Sequence, residues 1–169
     1  MPVDSFRFFP RSLAAWVQQL EVPPEGPVPW TPLPRPVREC RFALVTTAGL
    51  YVKGLEPPFD LEREAREPTW GDPSFRRIPR DVRQERIGVS HFHINQRDIL
   101  QDLNVALPIQ RFLELAREGV IGSLAETHYS FMGYQGYPAD LSGWRQRYGP
   151  QVASLMKAEG VDCVLITPV

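Results

Sequence analysis

Proline placement constrains this chain more than any other feature: 18 of its 169 residues are proline. Proline fixes φ and lacks an N–H, so it is excluded from helix interiors and from central strands. The prolines crowd into residues 22–36 and again between Pro57 and Pro79. Those stretches read as a proline-rich arm over 22–36 and a long loop over 53–86. Regular structure must then be built from the apolar segments that remain.

Those segments alternate. Pro10–Leu20 carries Leu13, Trp16, Val17 and Leu20 at helical spacing and predicts a short amphipathic helix. Cys40–Thr47 is an apolar, β-prone run that ends at Ala48-Gly49, the usual opening of an α/β unit. Arg86–Ile94 predicts a second strand and Asp98–Leu103 a helical turn. Pro108–Arg117, closed by Gly119, predicts a helix whose core stripe is Ile109, Phe112, Leu113 and Ala116. Thr127–Met132 predicts a third strand ending at Gly133. A helix from Trp144 to Glu159 stops at Gly160, and Val161–Thr167 predicts the final strand. The expected fold is therefore α/β: one domain over 1–169, three layers αβα around a mostly parallel sheet. Strands 41–47, 87–94 and 161–167 are expected side by side.

Composition narrows the function. A net charge of −1 and a pI near 6.3 lack the basic surplus of a nucleic-acid binder. No apolar run approaches the roughly 20 residues that span a bilayer, and Met1–Phe6 lacks a secretory pattern. The expectation is a cytoplasmic protein that engages neither membrane nor nucleic acid. Cys40 and Cys163 stand far apart without a CxxC partner, which argues against a disulfide scaffold or a cysteine zinc site. Cys163, in mid-strand, reads as a small buried hydrophobe.

The candidate catalytic residues are His91, His93 and His128, all the histidines there are. Alternate residues of a strand share a face, so His91 and His93 can point together. With His128 on a neighbouring strand, they are expected near one another at one end of the sheet. Two readings stand: a three-histidine metal centre, or metal-free histidines facing a substrate and moving protons. The second is preferred, because no carboxylate is spaced to complete a metal site. The Thr46–Gly49 turn has amides that suit an anion, but no G-x-G-x-x-G follows a strand and a plain tight turn is expected. Trp70, Tyr129, Phe131, Tyr134 and Tyr137 are read as pocket or core aromatics.

The block from Ser90 to Gly136 resembles the selenoprotein B family of glycine/sarcosine/betaine/D-proline reductases. Its most specific stretches are Asp102-Leu103-Asn104-Val105-Ala106-Leu107-Pro108, Ile121-Gly122-Ser123-Leu124-Ala125 and His128-Tyr129-Ser130-Phe131-Met132-Gly133. Glu67–Phe75 and Ile78–Asp81 resemble the shorter, proline-reductase-like branch. Within these blocks Asn104, Tyr129, Ser130 and Gly133 are the candidate substrate contacts. The resemblance implies a reductase subunit that cleaves a C–N bond of an amino acid or related amine. It also implies a thioredoxin-like dithiol donor and a second reductase subunit. No separate cofactor is expected in this chain. In the family the last strand is followed by a selenocysteine or cysteine with a second thiol nearby, and the residues after Thr167 are Pro168 and Val169. The redox centre is therefore expected just after Val169, with the fold incomplete at its C-terminus and the reading frame stopped at a UGA codon. A non-catalytic binding module of the same fold and a three-histidine metal-dependent hydrolase are the alternatives.

Overall fold

The structure, a computed structural model, describes residues 9–18 and 31–169. They fall in two units, Met1–Pro32 and Leu33–Val169. In the first, α1 (Arg11–Gln18) opens with the Ala14 N–H donating to the Pro10 carbonyl at 2.9 Å. Leu20 and positions 22–30 of the expected arm lie outside the described residues. Positions 31–36 are irregular and exposed.

The second unit is organised by β1 (Arg41–Thr46), whose Ala43, Leu44, Val45 and Thr46 are all buried. Its neighbours are β5 (Ser123–Leu124), β6 (Thr127–Phe131) and β7 (Cys163–Thr167), each parallel to it. Phe42 pairs with both Leu124 and Cys163, and Val45 with both Tyr129 and Ile166. It follows that β5 and β6 flank one edge of β1 in succession, and β7 flanks the other. A fifth strand, β3 (Phe75–Pro79), runs antiparallel to β6 at the margin. Strand β7 carries the exposed side chains of Val164 and Ile166.

Alternation along β1 sends its side chains to two cores. Leu44 packs with Leu50, Ile78, Ile87, Leu103, Leu107 and Ile109, with Phe42, Phe112 and Leu113 at the margin. Ala43 and Val45 pack with Tyr129, Phe131, Val152 and Met156 on the opposite face. The first core lies under α3 (Gln96–Gln101) and α4 (Ile109–Arg117), the second under α5 (Gly149–Ala158). Helices thus cover both faces of a mostly parallel sheet, as expected. Full burial of a side chain such as Leu44 contributes about 1.5–3 kcal/mol.

Two expectations need correction. The segment 86–94 does not join the main sheet. Only β4 (Ile87–Val89) is extended, and it pairs antiparallel with β2 (Leu50–Val52) in a separate ribbon on the α3–α4 face. The chain then turns, because polar groups within it capture its backbone. The Ser90 N–H donates to the Gly49 carbonyl at 2.8 Å, the His93 N–H to His91 Nδ1, and the Arg97 N–H to Asn95 Oδ1. Gly49 makes the β1–β2 turn at φ +65°, and a Cβ there would collide with the Ser90 carbonyl. Nor is 53–86 one loop, since it contains α2 (Leu61–Arg66) and β3. Arg76 organises this stretch. It donates to the carbonyls of Pro57, Pro58 and Phe75 and to Ser74 Oγ, lies 4.1 Å over the Phe59 ring, and stands 3.6 Å from Asp72. It thereby supplies the donors that the prolines lack.

His128 repairs the sheet. Between β5 and β6 the chain bulges at Ala125–Glu126, and the buried Leu44 N–H is satisfied by His128 Nδ1 at 3.2 Å. The imidazole is fully buried, and burial, followed by the nearby charge of Arg80, pulls its pKa down to about 4. In the unfolded chain it returns to about 6.5. The unfolded state then takes the proton first, and stability is lost as pH falls from 6.5 toward 4. In His128→Asn the amide oxygen can keep the bond to Leu44 without titrating. Between pH 7 and pH 4 the wild type is expected to lose roughly 3 kcal/mol more than this variant in urea unfolding. Equal losses would show that His128 is not held neutral.

Candidate functional site at the strand ends

The carboxyl ends of the parallel strands are tied together by hydroxyl groups. Thr46 Oγ1 donates to the Thr167 carbonyl at 3.1 Å and accepts from the Ala48 N–H at 3.2 Å. Thr47 Oγ1 accepts from the Val169 N–H at 2.9 Å. The Thr47 and Gly49 amides are also occupied, by the carbonyls of Thr167 and Phe131. The Thr46–Gly49 turn is therefore a structural junction, with its amides spent inside the fold.

Above this junction sits Gly133, at the end of β6. A Cβ on it would stand 2.9 Å from His91 Nε2, 3.0 Å from the Thr47 carbonyl oxygen and 3.1 Å from that of Val169. The ends of β1, β6 and β7 thus converge on one imidazole edge. In open α/β sheets this is where ligands collect. His91 itself is 3 % exposed. Its Nδ1 accepts the His93 N–H at 3.2 Å, so the neutral ring carries its proton on Nε2, the atom facing Gly133 and the strand ends. Burial, and then the neighbouring His93, lower its pKa below 6.5.

His93 is half exposed and lies 5.8 Å, ring to ring, from His91 and 4.4 Å from Tyr134. Its Nε2 stands 3.3 Å from Glu64 Oε1, close enough for a charge contact but misaligned for a hydrogen bond. Glu64 is 5 % exposed on α2, and α2 is capped by Asp60, whose carboxylate accepts the Arg63 N–H. Burial raises the Glu64 pKa against the opposing pull of His93, and Asp72 adds to the rise.

The sequence-derived candidates separate. His91, His93 and Gly133 come together. His128 does not: it lies inside the sheet, beside Leu44. Among the described residues no group of three or more His, Cys, Asp or Glu side chains is arranged around a metal ion. The three-histidine metal hydrolase loses its geometry. Asn104 caps the start of α4, its Oδ1 accepting the Gln110 N–H while its own amide groups bond Asp102. Tyr129 is core, edge-on to Phe75. Ser130 Oγ accepts the Leu50 N–H at 2.7 Å and joins the β-ribbon to β6. Of the four proposed substrate contacts, Gly133 alone lies against His91.

Sequence reasoning missed Glu64 and Thr47. In Leu61–Arg66 four of the six residues are charged, which reads as a solvated helix, and only tertiary packing singles out Glu64. On the α5 face an apolar cleft of about 270 Å³ opens beside the junction, lined by Val45, Thr47, Phe131, Trp144, Gly149 and Ile166. A larger open cleft of about 640 Å³ between β3 and α5 contains none of the histidines.

Gly133→Ala is expected to push the His91 ring toward solvent, because the new methyl meets Nε2. Relief from burial should then raise the His91 pKa toward 6.5, which a histidine NMR titration would read. An unchanged titration would show that the ring is not lodged against Gly133.

The family model described as glycine/sarcosine/betaine reductase selenoprotein B matches residues 14–169. The chain is 36% identical over 149 residues to the D-proline reductase subunit gamma of Acetoanaerobium sticklandii, covering 88% of this chain and 57% of that protein. It is 27% identical over 149 residues to the glycine reductase complex component B subunit gamma of Carboxydothermus hydrogenoformans, covering 88% of this chain and 32% of that protein. The chain thus spans between about a third and somewhat over half of the length of these relatives. No solved structure matches the chain with significance. On the family match over nearly its whole length, the chain belongs to the glycine/sarcosine/betaine reductase selenoprotein B family.

Proposed function

We propose that the chain is a subunit of a dithiol-dependent reductase that cleaves a C–N bond of an amino acid or related amine at the strand ends beside His91. The observation that carries this reading is His91 itself: a buried, neutral imidazole whose Nε2 proton faces the ends of three strands. The reaction is a two-electron reduction. The C–N bond breaks, a C–H bond forms, and a dithiol of the thioredoxin type supplies two electrons and two protons as it closes to a disulfide. The nitrogen, already cationic in the substrate, departs as the free amine, and the neutral His91 Nε2–H serves as a hydrogen-bond donor that orients the substrate.

Neither cysteine suits the nucleophile. Cys40 is fully buried, and the Cys163 thiol is pushed up to about 11 by burial, with the adjacent Cys40 thiol reinforcing the shift. A redox thiolate needs the opposite shift. The selenol or thiol is therefore assigned to a residue outside these 169. A partner subunit fits the same reading, since both relatives are named as subunits. Among the described residues no helix is long and apolar enough to cross a membrane.

The test is turnover of glycine, sarcosine, betaine and D-proline by the assembled enzyme, with dithiothreitol as donor. Each mole of amine consumed should oxidise one mole of dithiol. His91→Ala should lower the rate by about 10–10²-fold, the loss of one hydrogen bond to a charged group. Amine binding without dithiol oxidation would replace the reductase with a binding module.

A further inference from the structure

We propose that Glu64 anchors the cationic nitrogen of the amine, and that the His93 imidazole covers this anchor until the amine displaces it. The inference depends on the reading above only in taking an amine as the ligand. Glu64 Oε1 is buried and has no hydrogen-bond partner among the described residues. A buried carboxylate oxygen left without a donor is costly and rare. The nearby Asp72 is not in that position. It accepts from the Ser74 amide and hydroxyl and from the Asp60 N–H, and it faces Arg76. The unmet demand for a donor is therefore concentrated on Glu64, and Asp72 deepens the negative potential around it.

What covers Glu64 is a weak partner. His93 is half exposed, misaligned with the carboxylate, and held through its ring by the stack on Tyr134 at 4.4 Å. Its backbone N–H to His91 Nδ1 survives a rotation of the side chain, so uncovering Glu64 leaves the orientation of His91 intact. An ammonium entering there gains a charge-assisted bond to Glu64 and, once His93 moves, the face of Tyr134.

Calorimetric titration of the full protein with glycine, sarcosine, betaine and D-proline tests this, with N-acetylglycine, whose nitrogen carries no charge, as the control. At least one amine should bind the wild type and N-acetylglycine should not. Glu64→Gln, which keeps shape and removes charge, should weaken binding at least tenfold while leaving Tm equal or higher. His93→Ala should tighten it several-fold by removing the competing cover. Binding unchanged within twofold in Glu64→Gln, weaker binding in His93→Ala, or no amine bound by the wild type would each overturn the proposal. Glu64-dependent binding without cleavage would sink the reductase reading and leave this one standing. Turnover indifferent to Glu64→Gln would do the reverse.

Discussion

A strand paired along both edges and covered on both faces has only its ends left for chemistry, and β1 is such a strand. Its parallel pairing with β5, β6 and β7 aligns three carboxyl termini at one level. Thr46, Thr47 and Thr167 lock those termini with hydroxyl bonds that a purely aliphatic strand would lack. The locked junction is rigid, and Gly133 leaves a gap above it one methyl wide. His91 fills that gap. The position of the reactive imidazole is thus a consequence of sheet packing, reached without any bond from Nε2 to a dedicated orienting carboxylate.

Much of this frame was legible in the sequence. Cys40–Thr47, Thr127–Met132 and Val161–Thr167 are apolar runs too short for helices, and each became a strand of the parallel sheet. The helix stripe Ile109, Phe112, Leu113 packs on the first core as its spacing implied. The failures share one cause. Val89-Ser90-His91-Phe92-His93-Ile94 alternates like a strand, but Gly49, His91 and Asn95 satisfy its backbone locally, and period alone cannot register that competition. The span 53–86 was read as loop because its prolines remove donors. A single guanidinium, Arg76, supplies donors to Pro57 and Pro58 from 19 and 18 residues further along the chain.

The site was less legible than the fold, because burial decides it and burial is a tertiary property. Three histidines look alike in the sequence, yet His128 is an acceptor for a broken ladder while His91 packs against Gly133 at the strand ends. Glu64 and Glu62 differ by one turn-face of α2, and only one is buried. Tyr129 and Ser130 adjoin a recognisable motif, but their polar neighbourhoods are those of sheet and core. A motif marks which segment is constrained; it does not say whether the constraint is packing or chemistry.

The two cysteines carry that distinction into the redox chemistry. Cys163 faces the Cys40 thiol across the β1–β7 pairing, where burial keeps it protonated. A thiol held near pKa 11 is a poor nucleophile and a poor leaving group, so this pair is protected from exchange with a dithiol donor. On the proposed reading, that protection matters. A reductase subunit washed by dithiols and disulfides must keep its structural thiols inert while a more acidic selenol or thiol turns over nearby. On that reading a substrate-orienting donor and the anchor for the amine come from this chain at His91 and Glu64, and the redox atom comes from elsewhere. Separating the two keeps the low-pKa nucleophile out of the core, where desolvation would raise it as it raises Cys163.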